Sequence, residues 1–376
     1  MEQTKELNNC DTNNNLSQTL PITNKNQLKQ RDAGFEILRI IAMVLIICHH
    51  LLDYGGFISN AQSSLELALL RLLHSFFTVS VNVFILISAY FTVTSKFKWK
   101  RLAMLWGDVV FYSVLFYLSN LIATKTSFEI TTFAKLFLPV TTNSYWFFTD
   151  YFILSLIAPF LNKMLKNCTK QEYYFLLILI GIFSYSSLRL GLDKIVSTGY
   201  GYNLIWFICL YIVGAFFKLY PIKEKKWLTT LIYFSSILLI FSNLYLPTDF
   251  PLYQYLHMPA EYTCPLVLIA SVSIFLLFKD VKFQNVKINN TIRFISKSAF
   301  IVYLFDGSHL RDWLYFDLLK IQNYYSQDYS ILMILLFALA IFSIAVIIDI
   351  IKRGIVKLIE IITIKIKDKR SKEISD

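Results

Sequence analysis

FEILRIIAMVLIICHHLLDYGG, residues 35–56, decides how this chain is read. Residues 35–53 are apolar over a length that crosses a hydrocarbon core of roughly 30 Å. Yet the same run holds Glu36, Arg39, His49, His50 and Asp53. An ionisable group at the bilayer centre costs at least about 2.5–3.5 kcal/mol on insertion scales, so charges in such a run need a reason. Eleven residues separate Arg39 from His50, and eleven steps of about 100° return the helix to within roughly 20°, about 16 Å further along. The two side chains therefore share one stripe, whereas His49 lies about 80° away from it. Asp53, three residues beyond His50, is placed to accept the second ring proton of His50 and so fix its tautomer.

The rest of the chain repeats the apolar pattern. Of 376 residues, 56% are apolar and 16% charged, against about 45–50% and 25% in a soluble domain. The mean hydropathy is +0.54. Runs fall at 35–53, 73–94, 102–123, 146–162, 172–188, 202–219, 227–246, 260–278, 293–310 and 330–351. The prediction is an all-α, polytopic transmembrane helix bundle of about ten helices in the cell membrane. With ten crossings, 27 Lys and Arg fall on the side of both termini and six on the other. That asymmetry predicts cytoplasmic termini, with 124–144 and 247–259 outside. It also explains most of the net charge of +11, which excludes nucleic acid as the partner to look for. Residues 1–32 are predicted to be a disordered polar tail, rich in Asn and without a signal-peptide core. Residues 33–352 form the transmembrane domain, and 353–376 a basic cytoplasmic tail whose KIKDKR segment, 365–370, suits an anionic lipid surface. The five cysteines (Cys10, Cys48, Cys168, Cys209, Cys264) show no CxxC spacing, so neither a disulfide framework nor a metal site is expected. No P-loop or GxGxxG motif occurs.

The stretch from Arg39 to His50 resembles the opening signature of the membrane acyltransferase-3 family, in which Arg and His are separated by ten intervening residues in the first helix. Four later stretches are similar to family segments in the same order: FTVSVNVFILISAYF (77–91), SYWFFTDYFILSLIAPFLNKM (144–164), LIWFICLYIVGAFFK (204–218) and AFIVYLFD (299–306). The resemblance implies about ten transmembrane helices and delivery of an acyl group, commonly acetyl from acetyl-CoA, to a hydroxyl of a polysaccharide or lipid-linked glycan. It makes His50 the catalytic histidine, Arg39 its motif partner and Arg101 a donor contact. Three positions depart from the family pattern: Met104 stands where a second basic residue is frequent, Ala89 where Gly is usual, and Phe305-Asp306 where a His is frequent.

Acyl transfer from a thioester needs a base for the incoming hydroxyl or a nucleophile that carries the acyl group between partners. His50 suits either role, with Asp53 stabilising its cation. Lys98, Lys100 and Arg101 at the foot of the third run are candidate contacts for the phosphates of an acyl-CoA donor. Trp146, Asp150, Arg71 and His74 are candidates for the wall of a glycan site, although aromatic residues at such depths also form interfacial belts. The predicted function is thus O-acyl transfer, most simply O-acetylation, with a cell-surface or lipid-linked saccharide as partner and no metal. The rival class is a transporter of glycan precursors or small solutes. Against it stand only 11 Gly and 8 Pro and no sign of the duplicated halves with broken helices common in transporters.

Overall fold

The computed structural model describes residues 33–189, 199–251, 256–257 and 260–375. The predicted tail at 1–32, Lys194 of the charge count and part of the 247–259 loop lie outside the described residues, as do the side chains from 367 onward. Every apolar run coincides with a helix or a pair of helices, and no strand occurs among the described residues. In chain order the helices are α1 (Ala33–Asp53), α2 (Ser64–Phe77), α3 (Ser80–Thr92), α4 (Trp99–Thr124) and α5 (Ile130–Lys135). After these come α6 (Trp146–Asn167), α7 (Lys170–Arg189), α8 (Leu204–Leu219) and α9 (Lys226–Asn243). The last are α10 (Pro265–Lys279), α11 (Val286–Ser296), α12 (Ala299–Asp306) and α13 (Ser330–Ser375). Among the described residues, four segments are long and apolar enough to cross a membrane: α1, α2 with α3, α4, and Ser330–Ile366 of α13. Helices α8 and α10 are apolar but shorter.

Two runs are broken where the sequence reads as continuous. The second begins at Ser64, not residue 73, and is interrupted at Thr78–Val79. There Thr78 Oγ1 donates to His74 O at 2.8 Å and Ser80 Oγ to Phe77 O at 2.6 Å, so hydroxyls take over carbonyls beside the break. The ninth run, which holds Arg293, Lys297 and Asp306, splits into α11 and α12 at Lys297–Ser298. Ser298 Oγ donates to Asp349 Oδ2 at 2.7 Å, and Tyr112 donates to the other Asp349 oxygen at 2.8 Å. Arg353 pairs with the same carboxylate at 3.0 Å. A buried carboxylate with three partners thus fixes the break against α4 and α13. Helix α13 runs on through residues 352 and 353 without interruption.

Helix α1 is the hub, touching α2, α3, α10, α11, α12 and α13. Helix α3 lies along α8 so closely that a Cβ on Gly214 would come within 2.5 Å of Leu86 O and 2.8 Å of Ala89 Cβ. Ala89 is therefore accommodated because Gly214 supplies the small surface opposite it. Buried Asn82 accepts from Trp206 Nε1 at 3.1 Å and donates to Tyr262 O at 3.0 Å, tying α3 to α8 and to the segment entering α10. In the loop after α8, burial works to raise the pKa of Glu224. Lys226 at 2.7 Å and Lys279 at 3.2 Å override it and hold the carboxyl below its usual range.

Candidate functional site

A cavity of about 380 Å³ runs along α1, and both Arg39 and His50 line it. The helical stripe is thus the wall of a real space. Arg39 does not reach away toward headgroups. Its guanidinium donates to Glu36 Oε1 at 2.9 Å and lies 5.5 Å from the Phe91 ring. Glu36 is itself buried and accepts from Ser296 Oγ at 2.6 Å. Because Glu36 takes only one of five guanidinium N–H groups, Arg39 keeps donors for a ligand. Aromatic residues from other segments complete the wall, among them Trp146, Phe147, Tyr151, Tyr202, Tyr262 and Tyr303.

His50 is paired, but not with the residue that its own helix suggests. Its Nδ1 donates to Asp306 Oδ2 at 2.6 Å, and the other Asp306 oxygen accepts from Tyr315 at 2.6 Å. Asp306 and Tyr315 are both fully buried. The expected partner, Asp53, instead contacts His49 Nε2 at 3.2 Å and His74 Nε2 at 3.4 Å. The correction has a simple cause: Asp306, at the last turn of α12, comes against α1 from 256 residues away, and takes the ring nitrogen that Asp53 was expected to take. Tyr315 reaches Asp306 from a wide turn at Trp313–Leu318, where Leu319 N bonds Leu314 O at 3.0 Å across five residues. Such π-turns recur at functional sites. A carboxylate at Asp306 can only accept, which makes Nδ1 the donor of this pair and leaves Nε2 as the ring nitrogen outside it.

A second, larger pocket of about 640 Å³ shares Leu105 and Tyr151 with the first. Lys98 and Arg101 line it as expected, together with Lys96, Lys163 and Lys166. Lys100 is exposed and off its wall. In sequence Lys163 and Lys166 are indistinguishable from the charge that topology requires, yet from α6 they bring cations to a wall that also holds Met104.

The remaining candidates divide. Trp146 lines the first cavity, tilted against Tyr202 at 4.6 Å. His49, off the Arg39 stripe, lines it as well, and so does Asp53. His74 stacks on His49 at 4.5 Å, behind the wall. Arg71 lies over the Tyr245 ring at 5.7 Å, and neither it nor Asp150 lines either cavity.

A family described as an acyltransferase domain, acyltransferase-3, matches residues 32–353. No curated protein and no solved structure matches the chain.

Proposed function

Because the chain belongs to the acyltransferase-3 family, and so to the acyltransferases, we propose that it moves an acyl group, acetyl foremost, from acyl-CoA to a hydroxyl of a cell-surface polysaccharide or lipid-linked glycan. It does so within a bundle crossing the cell membrane ten times, with both termini in the cytoplasm. The observation that carries the reading is the adjacency of two spaces that share Leu105 and Tyr151 in their walls: a basic pocket on one side, and on the other a cavity lined by His50 with its buried carboxylate partner. Phosphates of the donor are held by Lys98, Arg101, Lys163 and Lys166. Arg39 lines the His50 cavity and offers its remaining donors to the acyl-bearing end of the donor.

His50 Nε2 takes the proton of the acceptor hydroxyl as its oxygen attacks the thioester carbonyl. The imidazolium that forms is stabilised by Asp306, whose charge Tyr315 steadies. Collapse of the adduct breaks the C–S bond. The leaving thiolate takes up the proton from His50, giving an ester, free CoA thiol and the original imidazole. The rings of Trp146, Tyr202 and Tyr262 offer flat faces on which sugar rings stack.

Arg101→Ala should raise the KM for acetyl-CoA about 10–100-fold with little change in kcat, since a charged contact remote from the reacting carbonyl contributes uniform binding. Steady-state kinetics on purified protein checks this; a collapsed kcat at constant KM would remove Arg101 from the donor site. For topology, a cysteine introduced at Thr126 should react with an impermeant thiol reagent added outside intact cells, and one at Asn285 should not. The reverse labelling would overturn the assignment of sides. The function itself is tested by mass spectrometry of surface glycans from cells with and without the gene: loss of O-acyl groups is expected, and unchanged acylation contradicts the reading.

A further inference from the structure

At the His50 end of the cavity, three side chains that the transfer chemistry does not use converge on one point. His49 and Asp53 stand four residues apart on one face of α1, a spacing that lets two ligands of a helix meet one ion. His74 comes from the last full turn of α2. One oxygen, Asp53 Oδ2, lies 3.2 Å from His49 Nε2 and 3.4 Å from His74 Nε2. The potential ligand atoms of the three residues all fall within 4.8 Å of one another.

Hydrogen bonding accounts poorly for this arrangement. Charge-assisted N–H···O bonds run about 2.7–2.9 Å, and both contacts are longer. The two imidazoles stack at 4.5 Å with 30° between their planes. His49 Nδ1 is buried with no hydrogen-bond partner among the described residues. By contrast, bonds of about 2.0–2.1 Å to a tetrahedral ion place neighbouring ligand atoms about 3.3–3.4 Å apart. The two separations from Asp53 Oδ2 match the edge of that tetrahedron.

We propose that His49, Asp53 and His74 form a binding site for a divalent transition metal, zinc foremost, that clasps the ends of α1 and α2 and leaves a fourth coordination position open. Two neutral imidazole nitrogens and one carboxylate oxygen suit borderline ions such as Zn²⁺ or Co²⁺, and tetrahedral spacing favours zinc among them. His50 is outside the set, since the ligand atoms that converge there are those of His49, Asp53 and His74, while its own Nδ1 pairs with Asp306. The proposal is independent of the acyl-transfer reading, since it rests on three residues given no part in that reaction.

The test uses the full chain, purified in detergent without a polyhistidine tag, stripped with a chelator and titrated with Co²⁺. One equivalent should bind with the visible absorption of a tetrahedral site, be displaced by Zn²⁺, and raise the unfolding temperature. His74→Ala and Asp53→Asn should each weaken Co²⁺ binding by about 100-fold or more, the upper range already seen for loss of residues that only support a ligand. His50→Ala should bind Co²⁺ as the wild type does. Absence of stoichiometric binding overturns the proposal, as does equal affinity in the wild type and Asp53→Asn. The latter variant keeps the side-chain shape and decides the matter even if His74→Ala fails to accumulate.

Discussion

His50→Ala is expected to abolish acyl transfer, a loss of about 10³-fold or more, while the protein still inserts and accumulates. Imidazole base catalysis typically contributes about 10²–10⁴-fold, and the cavity wall offers no substitute: His49 lies beside His50 with ring centroids 6.1 Å apart, but has no bond to Asp306. His49→Ala should therefore stay far closer to the wild type in cleavage of acetyl-CoA. Release of CoA thiol by purified variants, normalised to folded protein, measures both. Equal losses from the two alanines, or full activity without His50, would show that the stripe along α1 singles out the wrong residue.

Asp306→Asn should cost nearly as much, about 10²–10⁴-fold in kcat, with the KM for acetyl-CoA almost unchanged. The amide keeps the size of the side chain but loses the charge that stabilises the imidazolium, and it can present a donor to Nδ1 and so favour the wrong tautomer. Asp306→Glu should recover part of the activity. Tyr315→Phe removes a single hydrogen bond to Asp306 and should cost about tenfold. A merely structural role for Asp306 predicts lowered accumulation in both Asp306 variants with normal turnover per folded molecule, which the same assay distinguishes.

Helical periodicity made Arg39 and His50 legible, because both sit on one helix and the angle between them follows from their spacing alone. The partner of His50 was not legible for the complementary reason. Periodicity says nothing about which distant helix arrives against α1, so Asp53 was the only carboxylate within local reach. Asp306 was visible only as a departure from the family pattern, a carboxylate near where a histidine is frequent. The structure turns that departure into a contact of 2.6 Å. The breaks at Thr78–Val79 and Lys297–Ser298 escaped the sequence because neither carries Gly or Pro. Both are stabilised by hydroxyls whose acceptors cannot be assigned before folding. Lys163 and Lys166 were masked by a general effect: cationic loops are what topology requires, and only the placement of α6 beside the Lys98–Arg101 segment gives those charges a common pocket.

The most direct test of the account is the fate of acetyl-CoA in proteoliposomes holding the purified chain in one orientation. Acetyl-CoA supplied to the face bearing Lys98 and Arg101 should be cleaved to free CoA thiol, the same donor supplied to the opposite face should not, and His50→Ala should release none from either side. No thiol release by the wild type from either face, with glycan precursor crossing the membrane unmodified, would contradict acyl transfer and establish the transporter instead.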